Sequence, residues 1–312
     1  GSRATLASSL LLVLSAGAPP AAAEGERPEA LVAALVTGSE GSRVRAATRL
    51  YHLDRAELGV PPLRRRLASD DPDERSLAAR LLGVLRSTRA VSPLLAALSD
   101  QDWAVRRDGA EALGQIGAPR ASAGLARLLG DDHPRVRIAA ARALAELGDG
   151  RGAEPLARAF AGEEDPEVRL HLIDSLGRVG TPVARRILDR ALGDRVESVS
   201  LVAASHLVEQ GSERAAAVLA ARLLTSASAA AREEVIEALG RSGGDAARPA
   251  RAALSRALAD REPSVHLAAA EALARLGDPR GLAHLESVAR SSAPAAVRAR
   301  ALDLIDRVST FD

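Results

Sequence analysis

Glycines at positions 117, 148, 180, 211, 243 and 277 each close an amphipathic stretch, and the intervals between them are 31, 32, 31, 32 and 34 residues. A period in this range constrains a chain more than composition does. Each unit is too small to bury its apolar face alone, so it must stack on its neighbours. A second series runs in step with the first: Val105-Arg106, Val136-Arg137, Val168-Arg169, Val199-Ser200, Val265-His266 and Val297-Arg298.

The stretch from Arg120 to Gly150 shows what one unit does. Leu125, Leu128 and Leu129 fall at helical spacing, and Asp131-Asp132-His133-Pro134 then interrupts them. Proline suits the first position of a new helix, where its missing N–H has no partner to lose. Pro72, Pro166 and Pro263 repeat that place, and Asp71 and Asp165 stand where a side chain caps the free amides. Val136, Ala140, Leu144 and Leu147 continue as a one-faced stripe until Gly148 stops it. Pro119, Pro182 and Pro279 lie two residues beyond their own glycines and block continuation. Each unit therefore reads as a helical hairpin. Leu82-Gly83, Leu113-Gly114, Leu176-Gly177 and Leu239-Gly240 place a glycine inside the second helix, where it costs about 1 kcal/mol relative to alanine. Close approach of a neighbouring helix is the compensation to expect.

Composition agrees with an all-α chain: 47% of its 312 residues are apolar, 1% are aromatic, and alanine, leucine and arginine dominate. Basic and acidic residues nearly cancel at 42 against 41, so net charge offers no argument for a nucleic-acid partner. The absence of cysteine excludes disulfides and thiolate chemistry. At the N-terminus, Arg3 precedes the apolar run from Leu6 to Ala16, and Ala21-Ala22-Ala23 follow before Glu24. This order reads as a secretory signal over residues 1–23 cleaved after Ala23, then a linker over 24–30 and one solenoid domain over 31–312. A periplasmic or secreted location follows, with a cytoplasmic one as the alternative. The run is too short to span a bilayer, and no other segment reads as an integral span.

Together, the Asp-Pro turn, Val-Arg, the alanine-rich stretch, Leu-Gly and the final Gly-x-Pro resemble the HEAT repeat. They are closest to the short bacterial form of phycobilisome lyase-like proteins. The resemblance covers about residues 31–312 and implies a right-handed α-solenoid of about nine hairpins. It implies that the second helices line the concave side. It also implies that Asp100, Arg106, Asp131, Arg137, Arg169 and Asp260 belong to a structural ladder linking neighbouring turns, since guanidinium and carboxylate suit such bracing.

What remains for function is the other face of the second helices. Asp174 and Arg178, Glu237 and Arg241, Glu271 and Arg275, and Asp303 and Arg307 are four apart with the acid first, the better order for helix pairing. Arg142 and Glu146 reverse it, so the charge along a groove should alternate. Trp103 takes the turn position that proline holds elsewhere, with Arg107 on the next turn, and both types are enriched at binding hot spots. The candidate partner-binding set is Trp103, Arg107, Glu111, Arg142, Asp174, Arg178, Glu237 and Arg241.

The six histidines occupy separate units in no metal-ligand spacing, and only His171 and His206 are placed to converge. No phosphate loop, nucleophile elbow or zinc-protease motif occurs. Arginine clusters at 64–66 and 185–186 lack interleaved aromatic platforms, which disfavours nucleic acid. The reading is a non-enzymatic scaffold or adaptor of the cell envelope that binds a protein or peptide and needs no cofactor or metal. Two alternatives stand beside it: an enzyme subunit resembling bilin lyases or isomerases, and a HEAT-like DNA-binding protein.

Overall fold

The computed structural model describes residues 27–309. The expected leader over 1–23 lies outside them. Within the described residues the chain forms 18 α-helices and no strand. The first helices of successive hairpins are α1 (Pro28–Thr37), α3 (Ala56–Arg66), α5 (Val91–Ala97), α7 (Ser122–Leu128) and α9 (Ala153–Gly162). They continue with α11 (Pro182–Ala191), α13 (Glu213–Thr225), α15 (Ala247–Ala257) and α17 (Pro279–Arg290). The second helices are α2 (Glu40–His52), α4 (Pro72–Leu85), α6 (Trp103–Ile116), α8 (Pro134–Leu147) and α10 (Pro166–Val179). They end with α12 (Glu197–Glu209), α14 (Ala229–Leu239), α16 (Pro263–Arg275) and α18 (Ala295–Val308). These pair into nine hairpins, and α1 takes in residues 28–30, which the sequence alone leaves to a linker.

Punctuation residues set the ends. Pro72, Pro134, Pro166 and Pro263 open their helices, and the carboxylates of Asp71 and Asp165 accept from amides of the first turn. Gly117, Gly148, Gly180, Gly211 and Gly277 are left-handed. Around 243 the pattern shifts by one: Gly243 has φ −107° and Gly244 takes the positive φ instead.

Stacking runs chiefly through the second helices, because glycine or alanine sits where they meet. A Cβ on Gly83 would stand 2.9 Å from the Cα of Ala112, and one on Gly114 would stand 2.9 Å from the Cα of Ala143. The expected close approach is therefore made by the next second helix. First helices touch each other less, so the second helices occupy the inner, tighter side of the curve. One continuous core of buried leucine, valine and alanine runs through the stack. The last unit closes on a smaller separate cluster of Leu267, Ala270, Leu285, Ala301 and Leu304.

The junction between α12 and α14 departs from the rule. Here the second helices share little contact, and α12 meets the next unit chiefly through its first helix, α13. Gly243 N–H donates to the Val208 carbonyl at 3.1 Å, and Arg241 reaches Glu209 at 2.7 Å.

Candidate functional site

Along the turns between paired helices lies a chain of guanidinium–carboxylate bonds. Arg75 bonds Asp100 at 2.8 Å, Arg106 bonds Asp131 at 2.7 Å, and Arg137 bonds Glu163 at 2.8 Å. Arg169 bonds Asp194, and Arg232 bonds Asp260 at 2.9 Å. Each arginine reaches forward to the next unit. Its remaining nitrogen donates back to the carbonyl six residues earlier, as Arg106 does to Asp100 and Arg137 to Asp131, both at 2.9 Å. The acids are shared as well, since Asp131 accepts from the His133 amide at 3.0 Å. Burial opposes the charge on Asp131, but Arg106 and that amide outweigh it and hold the carboxyl below its ordinary value. These side chains are consumed in bracing the stack.

On the inner face, the middle of each second helix presents one side chain in register: Arg80, Glu111, Arg142 and Asp174 from α4, α6, α8 and α10. Their signs alternate. Ser205 interrupts the series on α12, and Glu237, Glu271 and Asp303 complete it in one sign. One turn further on, Glu146, Arg178, Glu209, Arg241, Arg275 and Arg307 form a parallel row.

At the centre of the first part lies Asp108, fully buried, where the equivalent place in α8 is Ala139. Ser76 donates to it, Arg107 pairs with it at 2.5 Å, and Arg80 stands 3.9 Å away. Burial dominates these partners and raises its carboxyl above 3.8. Beside it, burial together with the Asp108 charge pushes Glu111 upward against the pull of Arg107 and Arg142. Burial also raises Glu146, which Arg142 and Arg178 flank. Helix α6 thus carries two carboxylates that are costly to ionise, with arginines on either side.

Trp103 stacks on His133 of the next unit, centroids 3.9 Å apart and planes at 2°. The Arg107 and Arg135 guanidiniums lie 5.3 Å and 6.0 Å from the indole centroid. Burial and Arg135 hold His133 below the ordinary imidazole value. Trp103 also packs against the core.

The pairing of Asp174 differs from the spacing rule. It turns from Arg178 to His206 of the next unit, Oδ1 to Nε2 at 3.1 Å, and His206 holds its carboxyl below the ordinary value. His171 lies close enough to add to that lowering, so both histidines attend one aspartate. Glu237 of α14 and Arg241 just beyond its end pair at 2.9 Å, across the α12–α14 junction from the rest of the set. The structure therefore brings Arg107, Glu111 and Arg142 into one charge cluster, with Asp174 and Arg178 at its edge and Glu237 and Arg241 apart.

Sequence reasoning passed over Asp108 and Arg80. The signal was an acid three residues after Val105, on the apolar stripe. It also passed over Arg75 and Arg232, because Glu74 and Ala231 stand where valine marks the other ladder arginines. Among the described residues, no cluster of three or more histidine or acidic side chains is arranged to hold a metal ion. No helix there is long and apolar enough to cross a membrane.

The chain belongs to the HEAT-repeat family, whose repeat model matches residues 60–145, 123–207 and 216–305. A search among curated proteins finds no match. Among solved structures, YibA of Escherichia coli has a TM-score of 0.55 at 20% identity, covering 83% of this chain and 96% of its own. The complex of CpcE and CpcF of phycocyanin lyase from Nostoc sp. PCC7120 has a TM-score of 0.48 at 23% identity, covering 94% and 99%. An engineered protein has 0.46 at 22% identity, covering 97% and 91%. The Escherichia coli likeness shows the α-solenoid fold.

Proposed function

We propose that the chain is a non-enzymatic adaptor whose inner groove, between α4 and α10, binds an extended segment of a partner protein. The observation that carries this reading is the half-buried alternating row Arg80, Glu111, Arg142 and Asp174, with Glu111 raised by burial. A carboxylate that is costly to ionise gains from an incoming cation, and an arginine beside it gains from an incoming acid. A mixed-charge peptide laid across the second helices supplies both. Stacked repeats build long surfaces of this kind. Trp103 belongs to this site as the support that positions Arg107. Glu237 and Arg241 extend it beyond the α12–α14 junction. The leader-like order of residues 1–23 supports a place in the cell envelope.

The test is affinity capture from the native extract with the wild type, Arg142→Glu and Trp103→Ala, followed by cross-linking to map the contact. Loss of the same partner from Arg142→Glu, with cross-links to α6 and α8, supports the reading. Undiminished capture by Arg142→Glu, or cross-links confined to the first helices, overturns it.

A further inference from the structure

Outside the groove lies a second charged surface, built by the first helices. Arg65, Arg127, Arg158, Arg190 and Arg256 each stand two positions after a leucine that is 0% exposed: Leu63, Leu125, Leu156, Leu188 and Leu254. Two residues turn a helix by about 200°, so a side chain two positions from the most buried point is aimed at solvent. All five arginines are exposed, and among the described residues none makes an ion pair or side-chain hydrogen bond. Ala96, Ala221 and Ser287 hold the same register in three of the other units and leave it uncharged. Arg120 and Arg214, seven residues earlier in register and also exposed, start a second row about 10 Å away along the helix axis. Adjacent helices pack about 8–10 Å apart, so the guanidiniums form a two-dimensional array and not a single file.

Exposed apolar side chains share this face. Leu58 on α3 is 44% exposed and Leu224 on α13 is 66% exposed. Helices that lie at a membrane interface combine arginine with exposed leucine in this way. A nucleic-acid duplex has no use for the leucines, and no exposed aromatic ring is available here to stack on a base. Near-zero net charge conceals the array, since the acids that balance it lie largely on the turns and second helices.

We infer that the first-helix face is a docking surface for an anionic lipid bilayer: guanidiniums meet headgroup phosphates and carboxylates while Leu58 and Leu224 enter the interfacial layer. The groove on the opposite side stays open to its own partner. The inference does not depend on that partner, because the two surfaces share no residue.

Co-sedimentation of the full chain with vesicles tests it, using phosphatidylcholine alone against phosphatidylcholine with phosphatidylserine. Binding is expected only to the anionic vesicles and should weaken steeply as salt shortens the Debye length from about 10 Å toward 3 Å. Affinity should fall about fivefold for each arginine removed, and about a hundredfold for Arg127→Ala, Arg158→Ala and Arg190→Ala together. These exposed substitutions should leave the helical circular dichroism unchanged. Leu224→Ser should weaken binding without changing its salt dependence. No binding to anionic vesicles at low salt, or a triple variant that binds like the wild type, overturns the inference. So does a duplex DNA that competes the protein off vesicles of equal total charge.

Discussion

A methyl group added at Gly114 and one added at Gly148 meet different obstacles, and this separates the two roles glycine has in the repeat. At Gly114 the obstacle is the backbone of α8, and overpacking of that kind costs about 1–3 kcal/mol. At Gly148 nothing lies within 4 Å, and the cost is the left-handed φ of 64°, about 1–2 kcal/mol. Asparagine tolerates that conformation, so Gly148→Asn should be milder than Gly148→Ala, while Gly114→Asn should be worse than Gly114→Ala. Urea denaturation of the four variants checks the order; the same ranking at both sites would defeat the distinction.

Two aspartates should give opposite pH signatures. Arg280 holds Asp278 at about 2, so its stabilising contribution is full above the ordinary 3.8 and is lost as pH falls through about 2. Asp108 is raised, so its contribution worsens as pH climbs from 3.8 through its higher folded value. Asp278→Asn should therefore lose more stability at pH 7 than at pH 2, whereas Asp108→Asn should improve relative to wild type between pH 4 and pH 7. Slopes of equal sign in the two variants would contradict the assignment. The glycine roles were legible as a period. Asp108 was not, because periodicity marks it only as an exception and burial had to be seen.

At the scale of the element, the ladder explains why hairpins of modest length stack in one register. In sequence, Asp100 and Arg106 stand six residues apart as members of one ladder. In the fold that spacing belongs to a backbone bond, and the Asp100 carboxylate faces Arg75 of the preceding unit. The residue types were legible but the pairing was not, since it depends on the rise between units. Arg137 makes two bonds to Glu163 and two to carbonyls of its own turn. Arg137→Ala should cost about 2–3 kcal/mol through loss of charged hydrogen bonds. Arg137→Lys should restore little of it, because one ammonium cannot replace a planar fork. A lysine variant with the wild-type urea midpoint would show that charge alone suffices. The ladder also defines its own gaps. Ser200 bonds the Leu192 carbonyl in place of a neighbouring acid, and Ser226 stands where that acid would be. At the last junction His266 replaces arginine and turns to His284 at 3.1 Å.

For the whole molecule, these gaps divide a quasi-one-dimensional stack whose stability is the sum of units and the interfaces between them. From α2 to α12 the bonds Arg43–Glu74, Arg75–Asp100, Arg106–Asp131, Arg137–Glu163 and Arg169–Asp194 run without interruption. Beyond it, among the described residues, Arg232–Asp260 alone continues the series, and the final unit rests on its own small cluster. The number of units was readable from the glycine period, yet this unequal division was not, because Ser200 and Ser226 are ordinary residues until their missing partners are seen together. Weak coupling at one interface lets the blocks unfold separately, and the C-terminal block should go first. The single tryptophan, Trp103, reports only the N-terminal block, whereas far-ultraviolet circular dichroism reports every helix. In urea the dichroism transition should begin at lower denaturant than the fluorescence transition. Introducing Ser200→Arg with Ser226→Asp supplies the missing rung and should draw the two curves together. Coincident curves in the wild type would mean that the backbone bond from Gly243 to Val208 and the continuous core couple the blocks fully without the ladder.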